Sequence, residues 1–314
     1  MKREKTLAYV AFLIVCVVWG TTYLAIRIAV ETIPPLLTMA TRYLAAGPIL
    51  FTAARIRREP LPRDRKTLMN LAIIGVLMVG VGNISVAISE QWVPSGMVAL
   101  FVATAPFWAT LIAALSGSGE RIGAASAVGM LAGFAGVGLL VTPTAAGGHF
   151  DKKFILGAVL VQIGSIGWQY GTHRAKYTVR DVPFVTSTAL QMLFGGGIAG
   201  IVGVAIGETS RFHLNVRTFS ALVYLALIGS VVAYSAYVYA VKHLPVTKMS
   251  LYAYVNPVVA VILGWLVLRE PLTWVSIVAM LIILGGTALV QVSRMRPSLR
   301  ATVEMPAPRR RNAA

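Results

Sequence analysis

Residues 7–26 read LAYVAFLIVCVVWGTTYLAI, a run of 20 residues without a charged side chain. A transmembrane helix needs about 20 predominantly apolar residues to cross the hydrocarbon core of a bilayer. Basic residues precede the run, as in a secretory signal peptide, but no small-residue cleavage site follows it. We therefore interpret this run as a first membrane-spanning helix that stays in the protein.

The composition extends this interpretation to the whole chain. Of its 314 residues, 57% are hydrophobic and 12% are charged, and the mean hydropathy is +0.76. Soluble domains are about 45–50% apolar and about 25% charged, so a disordered chain and an ordinary soluble enzyme are both excluded. The predicted fold class is an all-α integral membrane protein. Its ten predicted transmembrane helices cover residues 7–28, 36–54, 69–89, 95–115, 124–142, 154–173, 184–206, 218–240, 248–268 and 273–292.

The charged residues indicate how these helices are oriented. The chain has 28 Lys and Arg against 11 Asp and Glu, a formal net charge of +17. With both termini in the cytoplasm, 21 basic residues fall in cytoplasmic segments and 5 in outer loops, as the positive-inside rule requires. We therefore predict a multi-pass protein of the cytoplasmic (inner) membrane, whose basic residues face anionic lipid and not nucleic acid. Residues 293–314 are predicted to form a disordered, basic cytoplasmic tail.

Two halves of the chain, residues 7–142 and 154–292, resemble each other. Each half contains five predicted helices, an odd number, so the second half enters the membrane inverted relative to the first. Inverted repeats are the architecture of many secondary transporters, because two similar halves can exchange roles around a central site. The matched residues lie 149–151 positions apart and are Trp19 and Trp168, Arg27 and Lys176, Pro34 and Pro183, Pro94 and Pro245, Pro106 and Pro257, Glu120 and Glu270, and Gly136 and Gly286.

Short motifs in a fixed order suggest a family. They are Val18-Trp19-Gly20-Thr21-Thr22-Tyr23, Pro94-Ser95-Gly96, Glu120-Arg121, Ala253-Tyr254-Val255-Asn256-Pro257-Val258 and Arg269-Glu270-Pro271. With these motifs, the chain resembles the EamA family of the drug/metabolite transporter superfamily over about residues 7–292, and most of all its bacterial metabolite-exporter branch. The resemblance implies ten helices, cytoplasmic termini, and export of small metabolites or drugs, often amino acids or related compounds.

Inserting a charged side chain at the centre of a membrane helix costs about 2.5–3.5 kcal/mol of free energy, so such residues are expected to have a function or a partner. Arg42 lies within predicted helix 2, whereas Arg27 ends helix 1 and Glu90 ends helix 3, all toward the outer side. Either Arg42 holds a substrate carboxylate and Glu90 is a proton-coupling residue, or the three form a structural salt-bridge cluster. The matching positions in the second half are Gln191 and Val241, and this asymmetry favours a functional role.

Aromatic and amide side chains are the other candidates for substrate binding. Asn83 lies at membrane depth beside small residues, and its match in the second half is Tyr234. Aromatic side chains around a cavity would suit amphipathic or aromatic cargo, and the alternatives are helix packing or an interfacial belt. The predicted substrate-binding residues are Trp19, Tyr23, Arg42, Asn83, Trp168, Tyr234, Tyr237 and Asn256.

Pro106 and Pro257 lie inside predicted helices 4 and 9 at equivalent positions, where each removes a backbone donor and favours a kink. Transporters place binding sites and hinges at such kinks, although a fixed bend for packing is the alternative. Glu120 and Glu270 precede helices 5 and 10, and we expect them to cap the N-termini of those helices. Helices 1, 3, 4, 6, 8 and 9 are expected to line a cavity, and helices 5 and 10 to form a scaffold or oligomer contacts.

The predicted function is secondary active or facilitative export of small metabolites, such as amino acids or related amphipathic compounds, by alternating access. An importer of the same fold stays open, because gradients decide the direction. A membrane-embedded enzyme is disfavoured, since the Asp and His residues fall in loops or at helix ends and no metal-ligand spacing occurs. We expect a small-molecule substrate and the bilayer as partners, no cofactor or metal, and a monomer or homodimer.

Overall fold

The computed structural model describes residues 2–116, 122–145, 147, 150–244, 246–249 and 251–303. Throughout these ranges the backbone forms helices, turns and bends, with no β-strand. A short 3₁₀ turn, Glu208–Arg211, and a short helix, Val246–Met249, join longer segments. The long helical segments of the described residues are α1 Lys2–Ala29, α2 Pro35–Ile56, α3 Arg65–Ser89, α4 Ser95–Leu115, α5 Ala124–Leu140, α6 Lys152–Thr178, α7 Phe184–Ala205, α8 Val216–Ala240, α9 Tyr252–Leu268 and α10 Trp274–Val303.

Eight helices in the described part of the chain are long and apolar enough to cross a membrane. The other two, α5 and α9, have 17 residues each, which corresponds to about 26 Å of helix. Large apolar side chains point outward: Leu131, Ile201 and Leu281 are 72%, 71% and 63% exposed. Such a surface needs lipid to cover it, and the prediction of an all-α membrane protein is confirmed. The number of ten crossings stays a prediction.

Two helix pairs pack along their length, α2 with α7 and α5 with α10. In the second pair the backbones touch at two glycines. A Cβ atom added to Gly286 would lie 2.4 Å from the carbonyl oxygen of Gly129, and one added to Gly129 would lie 2.7 Å from that of Gly286. Because small residues let membrane helices approach closely, this pair of glycines sets the distance between α5 and α10.

A turn interrupts α4 immediately before Pro106. Proline has no backbone N–H, so carbonyl groups in the preceding turn lose their helical donors. Side chains supply donors in their place, the hydroxyl of Thr104 to the carbonyl of Phe101 (2.7 Å) and two side chains of neighbouring helices. Gln162 of α6 donates to the carbonyl of Phe101 (3.2 Å), and Thr287 of α10 donates to that of Ala103 (3.0 Å). The break is tolerated within the bundle because these partners satisfy the freed backbone groups.

Helices α3 and α8 each contain a π-helical segment, Val76–Asn83 in α3 and Leu227–Val232 in α8. The two segments begin 151 residues apart, within the range of offsets that relates the matched residues. In α8 the hydroxyl of Ser230 donates to the carbonyl of Leu225, at 2.9 Å. Single π-helical turns inside α-helices occur frequently at functional sites. The space between α3 and α8 is therefore a candidate functional site.

The starts of α3 and α8 carry equivalent caps. Asp64 accepts a hydrogen bond from the backbone N–H of Thr67 (2.8 Å), and this bond lowers the pKa of Asp64 below its ordinary value. Asn215 accepts from the backbone N–H of Thr218 at 2.8 Å. Both pairs are related by 151 positions. The two helices thus begin with the same local structure, because each N-cap side chain satisfies a free N–H of the first turn.

Two glutamates, one in each half of the chain, each cap the start of a helix in the other half. Glu59, after α2, accepts from the backbone N–H and the hydroxyl of Thr186 at the start of α7, at 3.0 and 2.8 Å. Glu208, after α7, accepts from the backbone N–H of Leu37 at the start of α2, at 3.0 Å. Glu59 and Glu208 are 149 residues apart, as are Leu37 and Thr186. Helix N-termini favour negative charge, so each half closes a helix end of the other by the same chemistry.

Glu270 caps α4 and not the helix that follows it. Its carboxylate accepts from the backbone N–H groups of Ser95 (2.7 Å) and Gly96 (3.1 Å). The first turn of α10 is capped by Thr273, whose hydroxyl accepts from the N–H three residues later at 3.1 Å. The expectation that Glu270 caps helix 10 is therefore wrong, because α9 packs against α4 and brings the carboxylate to its N-terminus. The matching Glu120 lies outside the described residues.

The start of α9 and the end of α10 are among the boundaries in the second half that differ from the predicted ones. Predicted helix 9 starts at residue 248, whereas α9 starts at Tyr252 and runs unbroken through Pro257. Pro257 lies in the second turn of α9, where it removes a single backbone bond near the helix start. Helix α10 continues past residue 292 to Val303. Residues 304–314 of the predicted tail lie outside the described residues.

Candidate functional site

A cavity of about 490 Å³ lies among α1, α2, α3, α4, α6, α8, α9 and α10. This volume is in the range of small-molecule binding sites, about 300–1,000 Å³, and the wall is likewise mostly apolar with a few polar groups. The structure brings most of the predicted site residues to this one wall. Those that line it are Trp19, Tyr23, Arg42, Asn83, Trp168, Tyr234 and Asn256, together with Pro106 and Pro257.

The cavity extends toward one end of the bundle. Gln291 and Arg294, in the second half of α10, line it, as does Ala253 in the first turn of α9. Arg294 is exposed, so this side of the cavity reaches the protein surface. At the other end of the bundle, the C-terminus of α9 meets the N-terminus of α4. There the carboxylate of Glu270 accepts a hydrogen bond from the backbone N–H of Ser95.

An aromatic cluster centred on Trp19 forms one side of the wall. The ring of Trp19 lies 5.5 Å from that of Tyr234, 5.3 Å from that of Tyr237 and 5.2 Å from that of Tyr252. Tyr252 lines the cavity, whereas Tyr237 does not and packs between Trp19 and Phe184, 5.9 Å from the latter. Tyr237 also lies 6.2 Å from the ring of Tyr252, so it supports two lining residues without lining the cavity itself.

Arg42 reaches the cavity wall from α2. Its side chain is buried, only 4% exposed, and its Nε donates to the hydroxyl of Ser230 in the π segment of α8 at 3.0 Å. The guanidinium lies over the ring of Tyr43, with Cζ 4.8 Å from the centroid. Among the residues that the structure describes, no carboxylate lies within salt-bridge distance of Arg42. The cavity therefore holds a buried positive charge that these residues do not neutralise.

The two asparagines differ in how they use their amides. The Nδ2 of Asn83 donates to the carbonyl of Met78 in the π segment of α3, at 3.2 Å. In the amide orientation that satisfies its neighbours, Asn256 donates to the carbonyls of Cys16 (2.7 Å) and Tyr252 (3.0 Å). Asn256 thereby ties α9 to α1. Asn83 keeps its side-chain oxygen without a partner among the described residues, so this oxygen is the more accessible acceptor.

Trp168 lines the cavity from α6, at the position that matches Trp19. The indole packs against α3, where a Cβ atom added to Gly82 would lie 3.1 Å from Cε3 of the ring. Gly82 therefore makes room for the indole by having no side chain. The two matched tryptophans line the same cavity from α1 and α6.

Several lining residues were not identified from the sequence, among them Tyr43, Tyr252, Gln291 and Arg294. The expectation that helix 10 serves only as scaffold is wrong for its second half, because this part of α10 reaches the open side of the cavity. Gln291 offered a signal in the sequence, since it is a polar residue in the last turn of an apolar span. Tyr43 and Tyr252 offered none, because aromatic residues are common in membrane helices.

Glu90 is fully buried and lies outside the cavity wall, directly after α3. Neither carboxyl oxygen has a hydrogen-bond partner among the described residues. Burial, and secondarily the charge of Glu270, raises the pKa of Glu90 well above its ordinary value, while Arg27 and Arg42 act in the opposite sense. In the described part of the chain, the salt-bridge alternative for Arg27, Arg42 and Glu90 is not formed. A buried carboxyl without a partner favours the protonated form.

A second cavity of about 560 Å³ lies where Glu270 caps α4. It shares no lining residue with the first cavity. Glu31 on its rim forms an exposed ion pair with Arg217 at 3.0 Å. Its charged lining residues are Arg27, Glu31, Arg269 and Glu270.

The two halves of the chain match one known family. The EamA-like transporter family matches residues 6–142 and again residues 155–292. The chain belongs to this family. The resemblance based on the sequence motifs is thereby confirmed, and the protein is a transporter of the drug/metabolite type.

Relatives of this EamA transporter occur in Escherichia coli and Bacillus subtilis. The uncharacterized inner membrane transporter YedA of Escherichia coli (strain K12) is 36% identical over 279 residues, which cover 88% of each chain. The uncharacterized transporter YoaV of Bacillus subtilis (strain 168) is 22% identical over 273 residues, covering 87% of this chain and 92% of YoaV. A solved crystal structure aligns with a TM-score of 0.64 and 20% identity over 92% of this chain and 98% of that one, so the fold is shared. The EamA transporter is thus a multi-pass inner membrane protein.

Proposed function

We propose that this EamA transporter exports a small amphipathic metabolite by alternating access, as a secondary active or facilitative carrier. The observation that carries the proposal is the cavity of about 490 Å³, whose wall comes from both halves of the chain. An apolar wall with aromatic rings, amides and one buried guanidinium suits a molecule that is apolar at one end and polar at the other.

Inverted five-helix repeats are part of the proposal. The reciprocal caps of Glu59 and Glu208 support them, because a two-fold axis between the halves would exchange these two contacts. The π segments, and the caps of Asp64 and Asn215, support the same relation at an offset of 151. In an inverted repeat, equivalent halves can close opposite ends of the bundle in turn.

The structure corresponds, in this proposal, to a carrier open to the cytoplasm. The cavity reaches the exposed Arg294 at the bundle end that the charge pattern assigns to the cytoplasm. The contact of Glu270 with Ser95 and Gly96 closes the other end. We propose that this contact breaks when the carrier opens outward, with Pro106 and Pro257 as hinges in α4 and α9.

Glu90 is the proposed proton carrier. Its carboxyl is fully buried outside the lining of the main cavity, and neither oxygen has a hydrogen-bond partner among the described residues. A carboxyl that is neutral when buried can release its proton when the surroundings become wet, which is the property required of a coupling residue. Without such coupling, the cargo gradient and the membrane potential would drive transport.

Counterflow in proteoliposomes tests the transport function. Purified protein would exchange internal unlabelled for external labelled compound across a panel of amino acids, aromatic acids and amphipathic cations. Glu90→Gln is expected to keep counterflow, which needs no driving force, and to lose most of the stimulation by a pH gradient. Glu31→Gln, at an exposed ion pair in the second cavity, is the matched control and should behave as wild type.

Three outcomes would contradict parts of the proposal. Absence of exchange for every panel member would contradict a carrier of small amphipathic metabolites. Equal loss of counterflow and of pH-driven transport in Glu90→Gln would argue that Glu90 is structural. An unchanged response of Glu90→Gln to the pH gradient would leave uncoupled export as the mechanism.

A further inference from the structure

We propose that the cargo is an amphipathic organic anion that binds Arg42 through a carboxylate, and that amines and zwitterionic amino acids bind more weakly. The inference rests on the proposed transport function, which it narrows to one class of substrate. It derives from the charges of the cavity wall and from the hydrogen bonds of Arg42.

The wall of the main cavity is positively charged. Arg42 and Arg294 are the charged residues among the described residues that line it, and no aspartate or glutamate lines it. The acidic residues lie elsewhere: the buried Glu208 and the half-buried Glu270 cap helices, and the buried Glu90 does not line the wall. An ammonium group in this cavity would meet the guanidinium of Arg42 and no carboxylate among the described lining residues, whereas a carboxylate would meet the positive charge of Arg42.

Arg42 presents an incomplete site. Its Nε is bound to Ser230, and its guanidinium plane lies against Tyr43, so the side chain is held in one orientation. The remaining N–H groups lack a carboxylate partner in the part of the chain that the structure describes. Guanidinium binds carboxylates through two parallel hydrogen bonds, and a buried, unpaired charge is unfavourable until an anion arrives. Arg42 is thus a fixed donor that a ligand carboxylate would complete.

The rest of the wall fits an apolar body and offers little to a second charge. The rings of Trp19, Tyr234 and Tyr252 lie on one side, and Trp168 lines another part of the cavity. Aromatic rings can also attract cations. In this cavity, however, the buried guanidinium of Arg42 opposes a cationic ligand, so the wall favours anions.

An anionic cargo also explains how export can proceed without a coupled ion. The cytoplasm of a bacterium is electrically negative, so the membrane potential drives a monoanion outward. Applying an inside-negative potential with valinomycin and a potassium gradient should therefore accelerate efflux of the anion. The same potential should slow efflux of a cation.

Three probes that share a phenylethyl group test the inference. They are 3-phenylpropionate (an anion), phenylalanine (a zwitterion) and phenethylamine (a cation). Binding is measured with the full chain in detergent by isothermal titration calorimetry, and transport is measured by counterflow in proteoliposomes. We expect wild type to bind 3-phenylpropionate at least ten-fold more tightly than phenethylamine, with phenylalanine between them.

Substitutions of Arg42 test whether this residue causes the preference for the anionic probe. Arg42→Gln should reduce 3-phenylpropionate affinity at least ten-fold, and Arg42→Lys should retain part of it, because lysine keeps the charge without the paired donors. Arg217→Gln is the matched control. Arg217 forms an exposed ion pair with Glu31 and does not line the main cavity, so this variant should bind as wild type. A preference for the anion that survives in a folded Arg42→Gln would overturn the assignment to Arg42.

If Arg42→Gln does not fold, binding of the three probes to the wild-type protein still tests the inference. Binding of phenethylamine or phenylalanine as tight as that of 3-phenylpropionate would overturn it, as would absence of 3-phenylpropionate binding. Counterflow of phenethylamine without that of 3-phenylpropionate would overturn the anion inference and support the carrier function. Binding of 3-phenylpropionate without counterflow of any panel member would support the anion site and contradict the carrier function.

Discussion

At the scale of single residues, the polar side chains of the bundle divide into two groups. Gln162, Thr287 and Asn256 donate to carbonyl groups of neighbouring helices and so stabilise the packing of the bundle. Arg42 and Glu90 are buried and, among the described residues, neither has a counter-charge in contact. Buried charges are normally paired, so a buried ionisable residue without a counter-charge supports the functional role proposed for these two residues.

Glu90→Gln should change how stability depends on pH. Because burial raises the pKa of Glu90 in the folded state, the stability that it contributes is complete below the ordinary glutamate pKa. That contribution is lost as the pH rises through the raised value. We therefore expect the Tm of wild type in detergent to fall relative to that of Glu90→Gln as the pH is raised from about 5 to 9, since glutamine stays neutral.

Comparison of Tm values across this pH series checks the prediction. Groups shared by both proteins cancel in the difference. Glu31→Gln is the control, because the Glu31 side chain is 40% exposed and paired with Arg217. A Tm difference between wild type and Glu90→Gln that does not vary with pH would contradict the buried, unpartnered state of Glu90.

At the scale of helices, close contacts and carboxylate caps decide how the segments meet. The backbones of α5 and α10 touch at Gly129 and Gly286, while Glu59 and Glu208 join α2 and α7 at both ends. We therefore expect each of these two pairs to move as a unit. The contact of Glu270 with α4 joins helices that border the cavity, and so it is the cap that a transport cycle would break.

Gly286→Ala should destabilise the protein, whereas the neighbouring Gly285→Ala should not. The new Cβ at position 286 would lie 2.4 Å from the carbonyl oxygen of Gly129, but position 285 has no atom within 4 Å. Overpacking of this kind costs about 1–3 kcal/mol. Alanine at 285 should leave Tm unchanged or raise it, because alanine favours helix more than glycine does. If Gly286→Ala and Gly285→Ala lower the Tm in detergent by the same amount, a tight contact at Gly286 is contradicted.

Glu270→Gln should open the outer end of the cavity. The neutral amide interacts more weakly with the N-terminus of α4, so the outward-open state gains population. The readout is labelling of Tyr23→Cys by a membrane-impermeant maleimide in intact cells, in a Cys16→Ala background. We expect Glu270→Gln to increase the labelling rate several-fold.

Glu208→Gln is the matched control for this experiment. It weakens a cap at the same end of the bundle, but between α2 and α7, which pack along their length. Labelling should remain at the wild-type rate. Similar increases in both variants would show that general loosening, and not the Glu270 contact, governs access.

At the scale of the whole molecule, the two halves meet around one cavity and exchange equivalent contacts. The caps of Glu59 and Glu208 lie in loops that an inverted repeat would place on opposite sides of the membrane. Arg63 and Arg211, exposed residues of these loops, provide a direct test. Single cysteines can be introduced there after removal of the buried Cys16.

Arg211→Cys should react with an impermeant maleimide in intact cells, and Arg63→Cys should react only after permeabilisation. This result is expected because the positive-inside rule assigns the basic loop at residues 55–66 to the cytoplasm. Labelling of both cysteines from the same side would contradict the inverted repeat. Reversed labelling would keep the repeat and overturn the predicted orientation of the termini.

The sequence by itself determined the membrane-helical class, the approximate helix positions and the family. Apolar runs of 20 residues have one stable arrangement in lipid, and repeated motifs keep their order along the chain. Seven of the eight predicted substrate-binding residues line the cavity, since polar and aromatic residues in membrane helices turn inward to avoid lipid.

Only the tertiary structure decided which side chains meet. Ser230 holds Arg42, Glu270 caps α4, and the second half of α10 reaches the cavity, although these groups are far apart in the chain. Hydropathy and motif spacing report how each segment relates to lipid, and they contain no distance between helices. Contacts of this kind follow from the packing of the helices, which brings a buried guanidinium and a mostly apolar, aromatic wall together in one cavity.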